Sequence, residues 1–363
     1  MNKLVIAALA IGAMASCTKS TVQYEQPGEI SLQPVTQKAT KAAIDGNKYP
    51  DDGRFKVWAL WTKAAESSAS DIPGTLDDNY VEYINGGEFA KKEDPNSWGG
   101  VTPYYWPTTG SLFFAGYSPA DAIGTFDYSW GTKTFTATDY EQSNNIAETK
   151  DLMWFDVTDQ SYNNNNNSIT EGEKTTPVNG VPVKFQHALS WLTFNVKRID
   201  EAEKSNWRIK SAKLFEIETM STFTANASSK TWGSLSDSQA ITVFEADGLG
   251  LELEKTDINL ARAYQENGDV IVIPQSCSFT NKDTYNAALV IEYNLKTPAS
   301  SEEDPVYIPQ SVTLSLEHGT NGEAWEIGKH YIYTITFGGN EILISPTVTD
   351  WTEPDENQNI EVQ

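Results

Sequence analysis

The sequence predicts an all-β protein made of two β-sandwiches in series. Segments in which every second residue is apolar recur along the chain, and this period of two is typical of β-strands. Turn residues separate the segments at the intervals found in sandwich domains. The frequent aromatic residues, 11 Trp, 16 Tyr and 14 Phe, are also common in strands. Amphipathic helical patterns are confined to two short segments, 200–206 and 257–268.

The first residues have the features of a bacterial export signal. Lys3 precedes an apolar run at 4–15, which as a helix would span about 18 Å, well short of the ~30 Å hydrocarbon core of a bilayer. This length indicates a signal peptide over residues 1–16 and not a membrane span. Two small residues before Cys17 resemble a lipobox, so we expect lipid on Cys17 and a body outside the cytoplasm. The alternative is ordinary signal cleavage beside an incidental cysteine.

The charge balance excludes one class of partner. The chain has 26 basic and 50 acidic residues, whereas nucleic-acid binding needs a basic face. Cys277, the only other cysteine, lies in an apolar segment and is expected to be a buried, inert thiol. Without a disulfide framework, the hydrophobic core has to supply the stability.

The N-terminal domain is assigned to residues 42–180. Its first clear strand is 54–62, where apolar residues occupy both faces, with Phe55 on one and Trp58 on the other. A polar, Asn-rich segment at 158–180 is predicted to be a solvated loop that ends the domain. Further strands are predicted at 111–119, 133–138 and 151–157.

The C-terminal domain is assigned to residues 181–363 and begins with an apolar segment at 181–198. Apolar residues occupy odd-numbered positions around Val183 and even-numbered positions around Phe194. The change from one alternation to the other falls around 186–188. Such a slip predicts a bulge or a bend between two strands. Further strands are predicted at 209–217, 268–276, 286–295, 310–317 and 329–337.

The sequence holds no recognisable pattern for catalysis or metal binding. His187, His318 and His330 lack a second ligand at the spacing of a metal site. Nucleophile-elbow and phosphate-loop motifs are also missing, and the many carboxylates are expected to form a solvated surface. We therefore predict a non-enzyme with no metal and no cofactor. His187 lies in an apolar stretch, which favours a structural, hydrogen-bonded histidine.

Aromatic residues cluster at Trp98, Tyr104, Tyr105 and Trp106. If the rings are exposed they can stack on sugars, and the chain would be a lipid-anchored glycan-binding protein. In the other interpretation the rings close the end of a sandwich core. The sequence leaves both interpretations open.

Five segments together resemble the fimbrillin family of Bacteroidales, the major and minor fimbrial subunit-like lipoproteins. Residues 104–119 carry Trp-Pro followed by Phe-Phe-Ala-Gly-Tyr-Ser-Pro, and residues 183–196 carry a phenylalanine, His-Ala-Leu and a strand. Gly116, inserted between the usual alanine and tyrosine, departs from the family pattern. The other segments are the Ile-Pro-Gln turn at 272–276, the Trp-x-x-Gly strand at 325–337 and the final Trp at 345–351.

The resemblance implies a pilus subunit or cell-surface adhesin with two transthyretin-like β-sandwich domains. Members of the family are exported as lipoproteins to the outer membrane. A surface protease specific for arginine or lysine then removes the lipid and the first strand, and a strand from the next subunit fills the vacated groove. The implied partners are other pilus subunits, the outer membrane through the lipid, and a ligand on a host or bacterial surface.

On this chain the leader corresponds to residues 17–41. Its removable strand is expected at 28–36, where Ile30 and Leu32 share one face. The position of the subunit in the pilus, as stalk, tip or anchor, stays open.

Basic residues after this strand are the candidates for cleavage. Lys41 lies in a polar segment rich in Ala and Thr and is the first choice, with Lys38 next. Cleavage at Arg54 would trim the first strand of the domain.

The strand donated to a neighbour is expected near the C-terminus. Ile342 and Ile344 alternate there, and Ile360 and Val362 alternate again. The alternative is that residues 340–351 complete the last domain.

Overall fold

The computed structural model describes residues 28–35, 49–64, 67–93, 97–122, 124–156, 180–199, 207–266, 268–297, 306–318, 324–338 and 341–351. The predicted signal peptide, the predicted lipidation residue Cys17 and the cleavage candidates Lys41 and Lys38 lie outside these residues. The same is true of Ile360, Val362 and the predicted helix at 200–206.

Within the described residues the protein is almost entirely β-structure, which confirms the predicted class. Helix is limited to α1 (Leu260–Tyr264) and a 3-10 turn at Ala69–Asp71. The side chain of Asn259 caps α1 by accepting a hydrogen bond of 3.1 Å from the backbone N–H of Arg262. No helix in the described segments has the length and apolarity needed to cross a bilayer.

The first sheet contains β1 (Ser31–Val35), β2 (Arg54–Thr62), β3 (Tyr80–Lys91), β4 (Trp98–Gly100), β5 (Ser111–Ser118), β8 (Met153–Asp156), β9 (Val181–Lys184) and β10 (Gln186–His187). Across the sheet the order is β10-β8-β5-β2-β3-β4-β1-β9. β9 and β10 stand at opposite ends of this order, yet only Phe185 separates them along the chain. The sheet therefore has to curl until its ends meet, and one of its faces encloses a core.

The second sheet contains β6 (Thr125–Ser129), β7 (Thr134–Glu141), β12 (Trp207–Asn226), β13 (Ser229–Trp232), β14 (Ser236–Glu245), β15 (Leu251–Glu252), β20 (Ala288–Lys296) and β21 (Tyr307–Ser315). The order is β21-β20-β12-β7-β6, and β13, β14 and β15 also pair with β12. β12 is 20 residues long and organises the sheet, because its first half pairs with β20 and its second half with β7.

The third sheet contains β11 (Ser190–Arg198), β16 (Ile258–Asn259), β17 (Val270–Val272), β22 (Lys329–Phe337) and β23 (Ile342–Asp350). Its order is β16-β11-β22-β23, and β17 pairs with β11. β11 and β22 run parallel, whereas β23 is an antiparallel edge strand that pairs with β22 alone. A separate hairpin consists of β18 (Phe279–Asn281) and β19 (Thr284–Tyr285).

Three hydrophobic cores fill the space around these sheets. The inner core lies inside the curl of the first sheet, the middle core lies between the first and second sheets, and the outer core lies between the second and third sheets. β2 borders two of them, as its alternation predicts. Phe55, Val57 and Ala59 face the inner core, while Trp58 and Leu60 face the middle core.

The predicted bend near 186–188 is confirmed. Val181 and Val183 of β9 pack in the inner core, whereas Leu192 and Phe194 of β11 pack in the outer core. The change of parity marks the point at which the chain leaves the first sheet and enters the third.

The sheets do not follow the predicted boundary between residues 180 and 181. β9 and β10 complete the first sheet, and the β6–β7 hairpin from the N-terminal half extends the second sheet through β12. Backbone pairing thus joins the N-terminal and C-terminal halves of the chain within both of these sheets. The tandem arrangement of two transthyretin-like domains stays a prediction.

We expect Phe135→Ala to destabilise the whole molecule, because Phe135 joins the first two sheets. Its buried ring on β7 lies 6.3 Å from Tyr117, 5.9 Å from Trp154 and 5.8 Å from Phe223, measured between ring centroids. The loss should be about 3–5 kcal/mol in the free energy of unfolding, measured with urea. The exposed Leu249→Ala is the control and should change it by less than about 0.5 kcal/mol. Equal, small losses would show that this contact does not join the sheets.

Candidate functional site

The leader strand, by which we mean residues 28–35, occupies a slot inside the first sheet. β1 pairs antiparallel with β4 on one side and parallel with β9 on the other. No other described strand joins β4 to β9, so β1 closes the curl of the sheet. The predicted removable strand is therefore an interior member of its sheet, and we call its slot the leader groove.

Apolar side chains of the leader strand fill part of the inner core. Ile30 and Leu32 are both 0% exposed, and Pro34 on the same face is also buried. The shared face of Ile30 and Leu32 is thus confirmed. Burial of two such side chains contributes about 1.5–3 kcal/mol each before the entropy of ordering the strand is subtracted. Their neighbours in the inner core include Trp98, Trp106, Val181 and Val183.

The aromatic cluster forms one wall of the leader groove. The backbone N–H of Ile30 donates to the carbonyl oxygen of Tyr104 at 2.7 Å, and the N–H of Trp106 donates to that of Gly28 at 3.0 Å. A single bridge pairs Glu29 with Tyr105 between these two hydrogen bonds. The cluster and the leader strand, which the sequence presents as separate features, therefore meet in one site.

This position favours the interpretation in which the rings close a core over that of a sugar-stacking platform. The indole rings of Trp98 and Trp106 are buried, and the ring of Tyr104 stacks on Phe89 with the planes within 1° of parallel. Only Tyr105 of the four is strongly exposed, at 53%. The cluster closes a core, because the rings gain more from contact with the leader strand and the inner core than from exposure to water.

Short backbone ladders hold the leader strand on both sides. The ladder with β4 covers Ser31 and Leu32, and the bridge between Glu29 and Tyr105 extends this side. The parallel ladder with β9 covers residues 32–35 and includes Pro34 on one strand and Pro182 on the other, neither of which has an N–H to donate. The buried side chains of Ile30 and Leu32 add to the retention of the strand.

The walls of the leader groove approach the strand closely. Gly180 has φ +106°, and a Cβ there would lie 2.6 Å from the carbonyl oxygen of Ser31. On the other wall, a Cβ on Gly99 would lie 2.9 Å from Oε1 of Glu29. Lys92 stands at the rim, where its Nζ lies 2.9 Å from Oε1 of Glu29 and donates to the carbonyl oxygen of Gly100 at 2.8 Å. The groove is shaped for a backbone with an acidic side chain at this end.

Arg54 is the one candidate cleavage residue that the structure describes. It is the first residue of β2, and its guanidinium donates to Glu88 at 2.7 Å, which lowers the pKa of that carboxyl group. Tyr49 is buried in the inner core and donates to the carbonyl oxygen of Arg54. Cleavage after Arg54 would remove Tyr49 from the core, so the geometry agrees with the preference for residues further upstream.

The segment predicted to be a donor forms β23. All nine of its residues pair with β22, but most of its side chains remain exposed, including Leu343 at 52% and Val348 at 43%. Ile342 and Ile344 are half-buried against the outer core. In this structure β23 thus extends the third sheet as an edge strand that contributes little to a core.

Trp351 fixes the end of β23. Its ring is buried and stacks on His187 with centroids 3.8 Å apart, and the backbone N–H of Trp351 donates to the carbonyl oxygen of Gly328 at 2.8 Å. Nδ1 of His187 also contacts the carboxylate of Asp151 at 3.0–3.1 Å. The structural role predicted for His187 is confirmed. Trp191, 5.8 Å from Trp351, continues this aromatic column to His330.

Sequence reasoning missed two members of the site, Lys92 and the aromatic column. Lys92 is one of many surface lysines, and only its contact with Glu29 distinguishes it. The column joins residues more than 150 positions apart, from His187 to Trp351, which no local pattern reports. Among the described residues, no three His, Cys, Asp or Glu side chains are grouped as metal ligands. Cys277 is buried, as expected.

Comparison with known proteins agrees with the fold and assigns a family. A family model described as fimbrillin-like matches residues 40–351. The chain belongs to the fimbrillin-like family. The family match covers every described strand except β1, whose place in the sheet is known from the structure alone.

Two solved structures share the fold of this fimbrillin-like protein. A fimbrial protein from Bacteroides vulgatus superposes with a TM-score of 0.58 at 17% identity, over 89% of this chain and 99% of that one. A putative cell adhesion protein from Bacteroides uniformis gives a TM-score of 0.51 at 16% identity, over 89% and 99% of the two chains. No curated protein sequence matches the chain.

We expect Leu32→Ala to weaken the closure of the first sheet. Removal of a fully buried leucine side chain typically costs about 2–5 kcal/mol. The matched control is Gln33→Ala, since Gln33 lies on the opposite face of β1 and should cost less than about 1 kcal/mol. Urea unfolding of both variants measures the difference. Equal effects would show that the buried face does not hold the strand.

The stability of the molecule should fall in acid partly because of His330. Its ring stacks on Trp191 with centroids 3.6 Å apart, and its Nε2 lies 2.9 Å from the hydroxyl of Thr193. Burial, with a smaller effect of Arg262, lowers the pKa of His330 to about 4. Between about pH 6.5 and 4 the unfolded chain takes up a proton that the folded chain does not, so stability falls as the pH falls. The contribution is at most about 1.4 kcal/mol per pH unit.

The variant His330→Gln tests this dependence, because glutamine does not titrate. The slope of unfolding free energy against pH between 4.5 and 6.5 should be shallower in the variant than in the original chain. Identical slopes would contradict a half-buried histidine that stays neutral in this pH range.

Proposed function

We propose that this fimbrillin-like chain is a structural subunit of a pilus, or a cell-surface adhesin, that assembles by strand exchange. One observation carries the proposal: among the described strands only the leader strand closes the first sheet, and it is held by a few buried side chains and short backbone ladders. A strand held in this way is suited to act as a placeholder. Its removal would leave β4 and β9 as open edges beside an apolar groove.

An open groove of this kind is a site for β-strand addition. Unpaired N–H and C=O groups on β4 and β9 would supply the ladder, and the pockets vacated by Ile30 and Leu32 would accept alternate side chains of an incoming strand. Family membership supports other subunits as the partners. The fold shared with a fimbrial protein is consistent with this role.

The route to the surface follows from the sequence. In this proposal the chain is exported with a signal peptide, anchored in the outer membrane through lipid on Cys17, and cleaved by a protease specific for basic residues at Lys41 or Lys38. Cleavage there lies downstream of the leader strand and upstream of Tyr49, so it would free the strand and leave the rest of the inner core intact.

The burial of the aromatic cluster argues against a glycan-binding surface. Two of its four aromatic residues, Trp98 and Trp106, are core residues in contact with the leader strand. Their exposure would require the sheet to open.

We expect limited digestion with a trypsin-like protease to convert monomers into ladders that resist mild denaturant. Cleavage between residues 38 and 54 should suffice, and mass spectrometry identifies the new N-terminus. The variant in which Lys38, Lys41, Lys48 and Arg54 are all replaced by glutamine has no site for the protease in this interval and should stay monomeric under the same conditions. Cleaved protein that stays monomeric at high concentration would contradict a role as a stalk subunit.

A further inference from the structure

Exposed apolar side chains gather at one end of the first sheet. In the described part of residues 28–200, the strongly exposed large apolar side chains are those of Val81, Tyr83, Val101 and Tyr105. Val81 pairs with the half-buried Trp61 across β2 and β3. The hydroxyl of Tyr83 donates to the carbonyl oxygen of Tyr105 at 2.6 Å. We call the surface formed by Trp61, Val81, Tyr83 and Tyr105 the entry patch.

The entry patch adjoins the point where the leader strand enters the first sheet. Tyr105 forms a bridge with Glu29, and the next residue in the chain donates its N–H to the carbonyl oxygen of Gly28. Only residues 18–27 lie between Gly28 and Cys17. Even fully extended, this length of chain reaches at most about 40 Å. A lipid on Cys17 would therefore keep the entry patch close to the surface of the bilayer.

The predicted cleavage sites lie towards the opposite end of the same sheet. β2 begins at Arg54 and ends at Thr62, which pairs with Tyr80 beside the entry patch, and its length is about 26 Å. Leu32 and Lys91 both pair with Trp98, which places the later part of the leader strand at the level of the start of β2. The segment with the cleavage sites connects these two strands at the end far from the entry patch.

We propose that the entry patch rests in the headgroup region of a zwitterionic lipid bilayer while the chain keeps its leader. The inference rests on the lipid anchor of the proposed function and deepens it, because it names the surface of the protein that faces the membrane. In this orientation the cleavage sites lie up to about 26 Å further from the bilayer than the patch and are open to a protease.

The side chains of the entry patch have the chemistry of a membrane interface. Tyr and Trp combine an apolar ring with a polar tip and are enriched where acyl chains meet water. The hydroxyl of Tyr83 is bonded to the carbonyl oxygen of Tyr105, and Nε1 of Trp61 donates to that of Thr109 at 2.8 Å. Contact with lipid would therefore leave neither donor unpaired. Val81 adds an apolar side chain beside both rings.

Charges near the entry patch restrict the class of lipid. Glu29 at the entrance is paired with Lys92 at 2.9 Å. Glu82 is exposed, but it pairs with a residue of the middle core and so lies on the opposite face of β3 from Val81. The exposed Asp77 and Asp78 precede β3, and the whole chain is acidic. An anionic bilayer would repel this surface, whereas zwitterionic headgroups would not.

Hydroxyl-radical footprinting on vesicles tests the orientation. The chain from Cys17 to its end is coupled through the Cys17 thiol to a maleimide lipid in phosphatidylcholine vesicles, and mass spectrometry measures the oxidation of each tyrosine. Tyr264, on α1, is the matched control, since it is 37% exposed and Tyr83 is 38% exposed. Coupling should lower the oxidation of Tyr83 and Tyr105 by more than about threefold and that of Tyr264 by less than about 1.5-fold.

Acidic substitutions test the contribution of the patch to membrane binding. In this experiment the Cys17 thiol carries one myristoyl chain, which alone binds weakly and reversibly, so a second contact raises the bound fraction. Tyr83→Glu/Tyr105→Glu should lower partitioning into phosphatidylcholine vesicles by about tenfold, and Tyr264→Glu by less than about twofold. Urea unfolding confirms that each variant is folded, and the footprint of the unaltered chain does not depend on any variant.

The outcomes separate this inference from the proposed function. Equal changes at Tyr83, Tyr105 and Tyr264 on coupling would overturn the inference and leave strand exchange untouched. Protection of Tyr83 and Tyr105 that rises with protein concentration in the absence of vesicles would also overturn it, because the patch would then bind a second copy. Failure of labelled palmitate to reach Cys17 in cells would overturn the anchor of the proposed function, and this inference with it, whatever the footprint shows.

Discussion

The closure of the first sheet by a single strand is the constraint on which the structure depends. β1 joins β4 to β9, and the ends of the sheet order meet at Phe185 only because every position between them is filled. A sheet that curls around an apolar interior cannot leave one position empty without exposing both the interior and two rows of unpaired backbone groups. The molecule satisfies this condition with β1, which backbone ladders and the buried side chains of Ile30 and Leu32 hold in place.

The rest of the molecule keeps the groove in shape. β2 and β5 are buried on both faces, so the wall opposite the leader is fixed by the inner and middle cores together. The middle core in turn binds the first sheet to the second through rings such as Phe135 and Phe223. We expect contacts of this extent to stay in place when one strand leaves. In the proposed function the leader strand is the part of the sheet that is replaced, while the inner and middle cores support the other strands.

Local alternation was sufficient to predict much of the fold. It placed β2, the bend around 186–188 and the inward pair Ile30 and Leu32, because side-chain parity is a property of the segment itself. Pairing between distant strands was not predictable in this way. The β6–β7 hairpin joins β12 through pairs that run from Glu141–Met220 to Phe135–Ala225, 79 to 90 residues apart in the sequence, and no local pattern encodes such pairs. For the same reason the sequence could not decide whether the aromatic cluster is exposed or buried, since the residues that cover its rings are distant in the chain.

The most direct test of the account is hydrogen exchange of the backbone amides of β4 and β9, measured by mass spectrometry before and after the leader is cut away. The account predicts that these amides lose protection when the leader leaves and regain it when a strand is added, while β2 and β3 stay protected throughout. Full protection of β4 and β9 in the processed monomer would contradict it, because the sheet would then close without the leader strand.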